Sequence, residues 1–161
     1  MMNDQSWRPL CVRLIQRWWP AVVWAGIIFF FSTEYFSAPN TGRLLMPFLS
    51  WLFPAITPRQ TAFVHLMVRK AGHVIEYFIF AVLLMRPFQG EQKQLPDTRT
   101  LVWILSTILL YAASDEFHQL FVAGRTPSPR DVLIDCAGAL CGILWIYWRR
   151  KRQRAAVVSS P

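Results

Sequence analysis

Apolar positions run almost unbroken over four stretches of this chain, each close to the length that crosses a bilayer. They are 18–36 (WWPAVVWAGIIFFFSTEYF), 70–88 (KAGHVIEYFIFAVLLMRPF), 100–119 and 130–148 (RDVLIDCAGALCGILWIYW). A hydrocarbon core about 30 Å thick needs about 20 helical residues, and a helix satisfies its own backbone groups where no water can. The pattern therefore predicts an all-α fold, an integral membrane four-helix bundle. The tryptophans Trp18, Trp19, Trp103, Trp145 and Trp148 cluster at one membrane interface. A cleaved signal peptide is the alternative for the first stretch, but bulky aromatics continue to its end and the small-residue site Ser37-Ala38-Pro39 is a poor one.

Between the first two spans, 44–56 (LLMPFLSWLFPAI) is apolar, too short to cross and broken by Pro47 and Pro54. It is expected as an extra interfacial or re-entrant segment. Thr57 followed by Pro58 has the chemistry of an N-cap and first helical residue, opening a helix that runs on into the second span, with Gly72 as a place to bend.

At 161 residues, 54% hydrophobic and 16% charged, the chain has too little polar surface for a soluble domain. Its formal charge of +8 lies mostly at the termini and in one loop, which suits lipid headgroups rather than nucleic acid. Three segments follow: a basic N-terminus (1–17), a membrane domain (18–148) and a basic tail (149–161) with a disordered end. Eleven arginines and lysines fall on the side of the termini and the 89–99 loop, against six on the other. Positive charge is retained in the cytoplasm, so both termini are predicted cytoplasmic. The three cysteines read as free thiols, since Cys136 and Cys141 point to different faces of a helix.

With spans alternating in direction, the polar residues of the spans gather at one end, the outer one. They are Ser32-Thr33-Glu34 in the first span, Lys70, His73 and Glu76 in the second, Ser114-Asp115-Glu116-Phe117-His118-Gln119 in the third, and Arg130, Asp131 and Asp135 in the fourth. At 1.5 Å per residue, Glu76 stands roughly 15 Å above Arg86, and Asp135 roughly 21 Å above Arg149. Charges that deep cost about 2.5–3.5 kcal/mol and turn toward the bundle interior to find partners. A polar cavity opening outward is the expectation. On the third span, Tyr111, Ser114, Asp115 and His118 share an arc of roughly 100° that leaves Glu116 outside, as a solvated charge. On the fourth, Asp131, Asp135, Gly138 and Gly142 form a narrow stripe suited to close helix contact, within the chain or between subunits.

Each polar position also has a structural reading. Asp131 follows Ser128-Pro129-Arg130 as an N3 carboxylate stabilised by the helix dipole. Glu34 and His65 read as interfacial. Lys70, His73, Glu76, Asp115, His118, Arg125 and Asp135 together make either a ligand site or a mutually neutralising network. The loop 122–129 carries Gly124, which turns it, and Pro127 and Pro129, which stiffen it, so that Arg125 is held over the cavity mouth.

These residues carry a resemblance to the VanZ-like family of bacterial membrane proteins. It rests on Arg69-Lys70-Ala71-Gly72-His73 with Glu76-Tyr77, on Ser114-Asp115-Glu116 with His118-Gln119-Leu120-Phe121, on Gly124-Arg125, and on Asp131-Val132-Leu133-Ile134-Asp135 with Gly138. The resemblance spans residues 20 to 148 or so. It implies a plasma-membrane protein, and the family's founding member is linked to resistance to the glycopeptide teicoplanin. It supplies no reaction. The family more usually has asparagine at the place of Asp135, which implies a protonated carboxyl here or one paired with Lys70 or Arg125.

Two functions fit. In the first, Lys70, His73, Tyr77, Asp115, His118, Gln119, Arg125, Asp131 and Asp135 form a site that binds or moves an anionic lipid or lipid-linked envelope component. In the second, His73, Glu76, Asp115 and His118 supply acid-base groups for an enzyme acting on a phosphate- or carboxylate-bearing substrate. HExxH and GxSxG are absent, and His73-x-x-Glu76 is too weak a ligand pattern to assign a metal. No cofactor is expected, and membrane lipids are the expected partners.

Overall fold

The structure is a computed structural model that describes residues 10–88 and 95–158. Arg8 and Lys93, which entered the charge count, and residues 159–161 lie outside the described residues, as do the side chains of Cys11, Arg13 and Arg154. Helix α1 spans Leu10–Phe31, α2 Ala38–Leu52, α3 Pro58–Met85, α4 Thr98–Gln119 and α5 Pro129–Val158, with 3-10 turns at Glu34–Phe36 and Arg86–Phe88. No strand occurs among the described residues. The all-α prediction holds.

The first predicted span, 18–36, is corrected. Helix α1 begins at Leu10 and stops at Phe31, where the Thr33 hydroxyl turns back to bond the Phe30 carbonyl (2.7 Å). Such local side-chain bonds compete with helix continuation. Ser37 then precedes a new helix with proline in its first turn, so the predicted 44–56 segment is the later part of α2. Three helices, α3, α4 and α5, are each long and apolar enough to cross a membrane; α1 reaches four only when joined with α2, bent from it by 65°.

Helix α3 starts where Thr57-Pro58 predicts. Gln60 N–H donates to Thr57 Oγ1 (3.3 Å) and Thr57 N–H to Gln60 Oε1 (2.9 Å), a reciprocal capping box. The helix then runs 28 residues, about 42 Å, unbroken through Gly72. Asp97 caps α4 by accepting from Thr100 N–H (2.9 Å). Helix α5 continues through the basic run to Val158, so this part of the expected tail is helical.

Partner positions show how the helices are directed. Lys70, His73, Val74 and Phe78 of α3 meet Asp131, Asp135, Gly138 and Gly142 of α5 at a nearly constant offset, so these two helices run parallel. Tyr111 Oη donates to the Ala25 carbonyl (2.6 Å) and His118 lies beside Ser32, a constant offset that makes α4 parallel to α1. This is the alternation the span pattern requires. A Cβ on Gly138 would lie 2.4 Å from the Val74 carbonyl oxygen, and one on Gly142 2.5 Å from that of Phe78. The glycine stripe therefore serves contact within the chain, bringing α5 onto the backbone of α3.

The core beneath the polar end is Ala21, Ile28, Tyr77, Phe80, Ala81, Leu84, Met85, Ile104, Ile108, Ala112, Ala139, Ile143 and Ile146. Around it, Val22, Phe29, Leu105, Leu110, Leu133, Leu140 and Leu144 are exposed, an apolar outer surface suited to lipid. At the opposite end from the polar groups, the Arg149 guanidinium sits over Trp145 (5.4 Å) and that of Arg152 over Trp148 (4.1 Å). Aromatic rings and arginines together fit a headgroup boundary.

Candidate functional site

At the end of the bundle where α1 and α4 finish, a cavity of about 250 Å³ opens to the surface. Ile28, Phe31, Ser32 and Phe36 line it from α1 and the turn after it, Thr41 from α2, and Arg69, Gly72, His73 and Glu76 from α3. Asp115 and Gln119 of α4 and Arg125 of the following loop complete the wall. Of the residues singled out from sequence, His73, Glu76, Asp115, Gln119 and Arg125 converge there. Ser32, one of the polar residues expected at this end, joins them, as do Arg69 and Thr41, which were not expected in the site. Arg69 was legible: it stands one turn before His73 and two before Glu76, on one stripe of α3.

His73 is held from behind. Its Nδ1 donates to Asp135 Oδ1 (3.0 Å), and Asp135 is fully buried. The expected partners of Asp135, Lys70 or Arg125, are thus corrected to histidine, which sits nearly one turn deeper than Lys70 at the α3–α5 register. This bond uses one ring nitrogen and leaves Nε2 as the atom His73 can offer to a ligand. Gln119 Nε2 donates to Asp115 Oδ2 (3.1 Å), orienting that carboxylate from the next turn of the same helix.

Arg125 reaches the cavity as predicted, by a route the sequence did not show. Gly124 adopts φ 72°, and a Cβ there would press on Ser37 and Pro39. This turn points the guanidinium at the end of α1, where it donates to the Phe31 and Thr33 carbonyls. Those carbonyls lie at the negative end of a helix, a natural seat for a cation. Burial first, and then repulsion from Arg69, pulls the Arg125 pKa below its ordinary value, against the opposing pull of Asp115, Glu76 and Glu116. The group stays charged at any physiological pH.

Lys70 pairs with Asp131 beside a second cavity of about 300 Å³, which is also lined by Leu66, Arg69, His73, Thr126 and Ser128. Arg69 and His73 are the wall between the two. Asp131 lies in the first turn of α5, and Ser128 Oγ accepts from Arg130 N–H (3.2 Å), so the capping reading of this segment and its pairing with Lys70 coexist. His118 is half-buried, 3.4 Å from Ser32 and stacked on Phe29 (4.6 Å), outside the lining of either cavity. Tyr77 is buried among the core side chains, its ring against Phe80 and Tyr111.

Two expectations are overturned. Glu116 is buried at 7% exposure, and its Oε2 accepts from Ser128 N–H (2.6 Å), tying α4 to the start of α5. The buried face of α4 is Ile104, Ile108, Ala112, Asp115, Glu116 and Gln119, rotated from the predicted arc, and Ser114 is left exposed. His65 is also buried rather than interfacial, hydrogen-bonded to Thr41 Oγ1 (2.8 Å) and so joining α3 to α2. Glu34 is exposed, as expected. Among the described residues, no three His, Cys, Asp or Glu side chains are grouped to hold a metal ion.

Apolar helices of spanning length around a charged cavity at one end define a multi-pass membrane protein. Within that class the comparison with known families is specific. The VanZ/LLP1 family model matches residues 18–150, and the chain belongs to that family. No curated protein and no solved structure gives a match.

Proposed function

We propose that this protein sits in the bacterial plasma membrane with its termini cytoplasmic and its cavity facing outward, and that the cavity binds or moves an anionic lipid or lipid-linked envelope component. The observation that carries this reading is that two arginines, Arg69 and Arg125, line one small cavity together with His73. Arginine presents a planar fork of donors that matches phosphate and carboxylate geometry. The excess of basic residues at the termini supports the orientation. Asp115 and Glu76 balance the cations when no anion is present, and accept hydrogen bonds from the hydroxyl or ammonium groups of a headgroup.

The test is native mass spectrometry of the protein in nanodiscs containing anionic and zwitterionic lipids. Arg69→Gln and Arg125→Gln are expected to lose retained anionic lipid by about tenfold, the scale of one charged hydrogen bond. Unchanged retention in both variants rules the reading out. In cells, the same variants are expected to abolish any effect of the protein on glycopeptide susceptibility.

The His73–Asp135 pair supports a second reading, a membrane enzyme. An imidazole oriented through Nδ1 by a buried carboxylate has Nε2 positioned for general acid-base work, with Arg69 and Arg125 beside a developing phosphoryl or carboxyl anion. Phosphate release from lipid phosphates that His73→Gln abolishes would select this reading. Lipid retention without turnover selects binding or transport.

A further inference from the structure

The charged cavity is not closed on the side of α2. Two of its wall residues, Thr41 and Arg69, also line a groove of about 350 Å³ between α2 and α3. The rest of that groove is apolar apart from His65: Leu44, Leu45 and Phe48 from one stripe of α2, and Val68 from α3. Phe48 and Thr41 are two helical turns apart, so the groove runs about 10 Å from its far end to the mouth of the cavity. His65, buried against Thr41, fixes the spacing of the two helices along its floor. Leu44 and Phe48 are largely exposed, at 79% and 53%, so the groove is open along its length to whatever surrounds the helices.

An apolar trough that ends on an arginine and leads into a polar chamber has the form of an amphiphile. The chamber's volume sets a limit on the head. At about 250 Å³ it is enough for a phosphate with a small polar group and below the size of most drug-like sites. Its chemistry sets a second limit: two guanidinium groups for an anion, and the carboxylates Glu76 and Asp115 for hydrogen-bond donors. Asp115 Oδ1 is buried and has no partner among the described residues, a state that polar atoms in protein interiors rarely keep.

We propose that the two spaces form one site for a phosphoglycerol lipid, which enters sideways from the bilayer with an acyl chain in the α2–α3 groove and its head in the cavity. The phosphodiester lies between Arg69 and Arg125, and the glycerol hydroxyls donate to Asp115 and Glu76. This inference rests on the headgroup reading above and adds to it the route, the chain and the size of the head.

Three probes titrated into the detergent-purified protein by calorimetry separate the parts: short-chain phosphatidylglycerol, glycerol 3-phosphate, and the same short-chain diacylglycerol without phosphate. The phosphatidylglycerol is expected to bind more tightly than either fragment. Filling the groove with Leu45→Trp or with Val68→Trp is expected to weaken it about tenfold, since excluding two methylenes suffices for that change, and to leave glycerol 3-phosphate within about twofold. Val68 is half exposed, so its variant keeps the test available if Leu45→Trp fails to fold. Phosphatidylglycerol binding that both groove variants leave unchanged overturns the proposal while the headgroup reading stands. Binding of both phosphate probes that Arg125→Gln leaves unchanged overturns the headgroup reading and this inference with it.

Discussion

The seam between α3 and α5 and the corner where α1, α2, α4 and the 122–129 loop meet hold the same bundle together by opposite means. Along the seam, Gly138 and Gly142 let two backbones touch below the His73–Asp135 pair. At the corner, contact is made by polar side chains reaching across gaps: Arg125 to the Phe31 and Thr33 carbonyls, Glu116 to Ser128, and Thr41 to His65. Close backbone packing tolerates no added volume. Side chains that reach across gaps tolerate volume but depend on each donor and acceptor. The cavity lies where the two modes meet, with His73 fixed from the seam and Arg125 fixed from the corner.

The contrast predicts the order in which substitutions should hurt. The largest effect is expected from Gly138→Val, whose Cβ would collide with the Val74 carbonyl; backbone cannot step aside, so a loss of about 3 kcal/mol or more is expected, read as a fall in thermal stability in detergent. Next comes Arg125→Ala, which strips two carbonyls at the end of α1 of a charged donor and should cost about 2 kcal/mol together with anionic lipid binding. Arg125→Lys should restore part of the stability but less of the binding, because an ammonium lacks the planar fork. Glu116→Ala should cost about 1–2 kcal/mol by leaving the Ser128 N–H unpaired, whereas Glu116→Gln, which keeps an acceptor, should be close to neutral; this pair checks that the residue is an acceptor and not a surface charge. The smallest loss among the destabilising changes is expected from Thr41→Val, about 1 kcal/mol for the bond to His65, with the α3–α5 seam unaffected in crosslinking between cysteines placed along it.

Much of this organisation was legible in the chain. Helix α3 begins at the capping box that Thr57, Pro58 and Gln60 encode locally, and the turn at Gly124 is where a glycine is needed. The gathering of polar groups at one end followed from alternating direction and the cost of charge in lipid, both properties of the solvent rather than of any contact. The phase of α4 was not legible. A helical wheel gives the angles between Ser114, Asp115, Glu116 and His118 but not which of them faces a neighbour. The polar arc pointed one way, while Ala112, small enough to be fully buried, and the Ser128 amide drew the helix another.

The sequence by itself determined the all-α membrane architecture, the start of α3 and the end of the bundle at which charge is buried, because each depends on composition, spacing along one chain and the absence of water. Only the tertiary structure decided that His73 pairs with Asp135 and Lys70 with Asp131, that Arg69 and not Lys70 lines the cavity beside Arg125, and that α2 folds over α3 to leave a groove beside it. Those are relations between helices. They are set by how deeply two glycines let α5 approach α3 and by the rotation each helix adopts to bury its small and apolar residues, and neither quantity is written in any one segment.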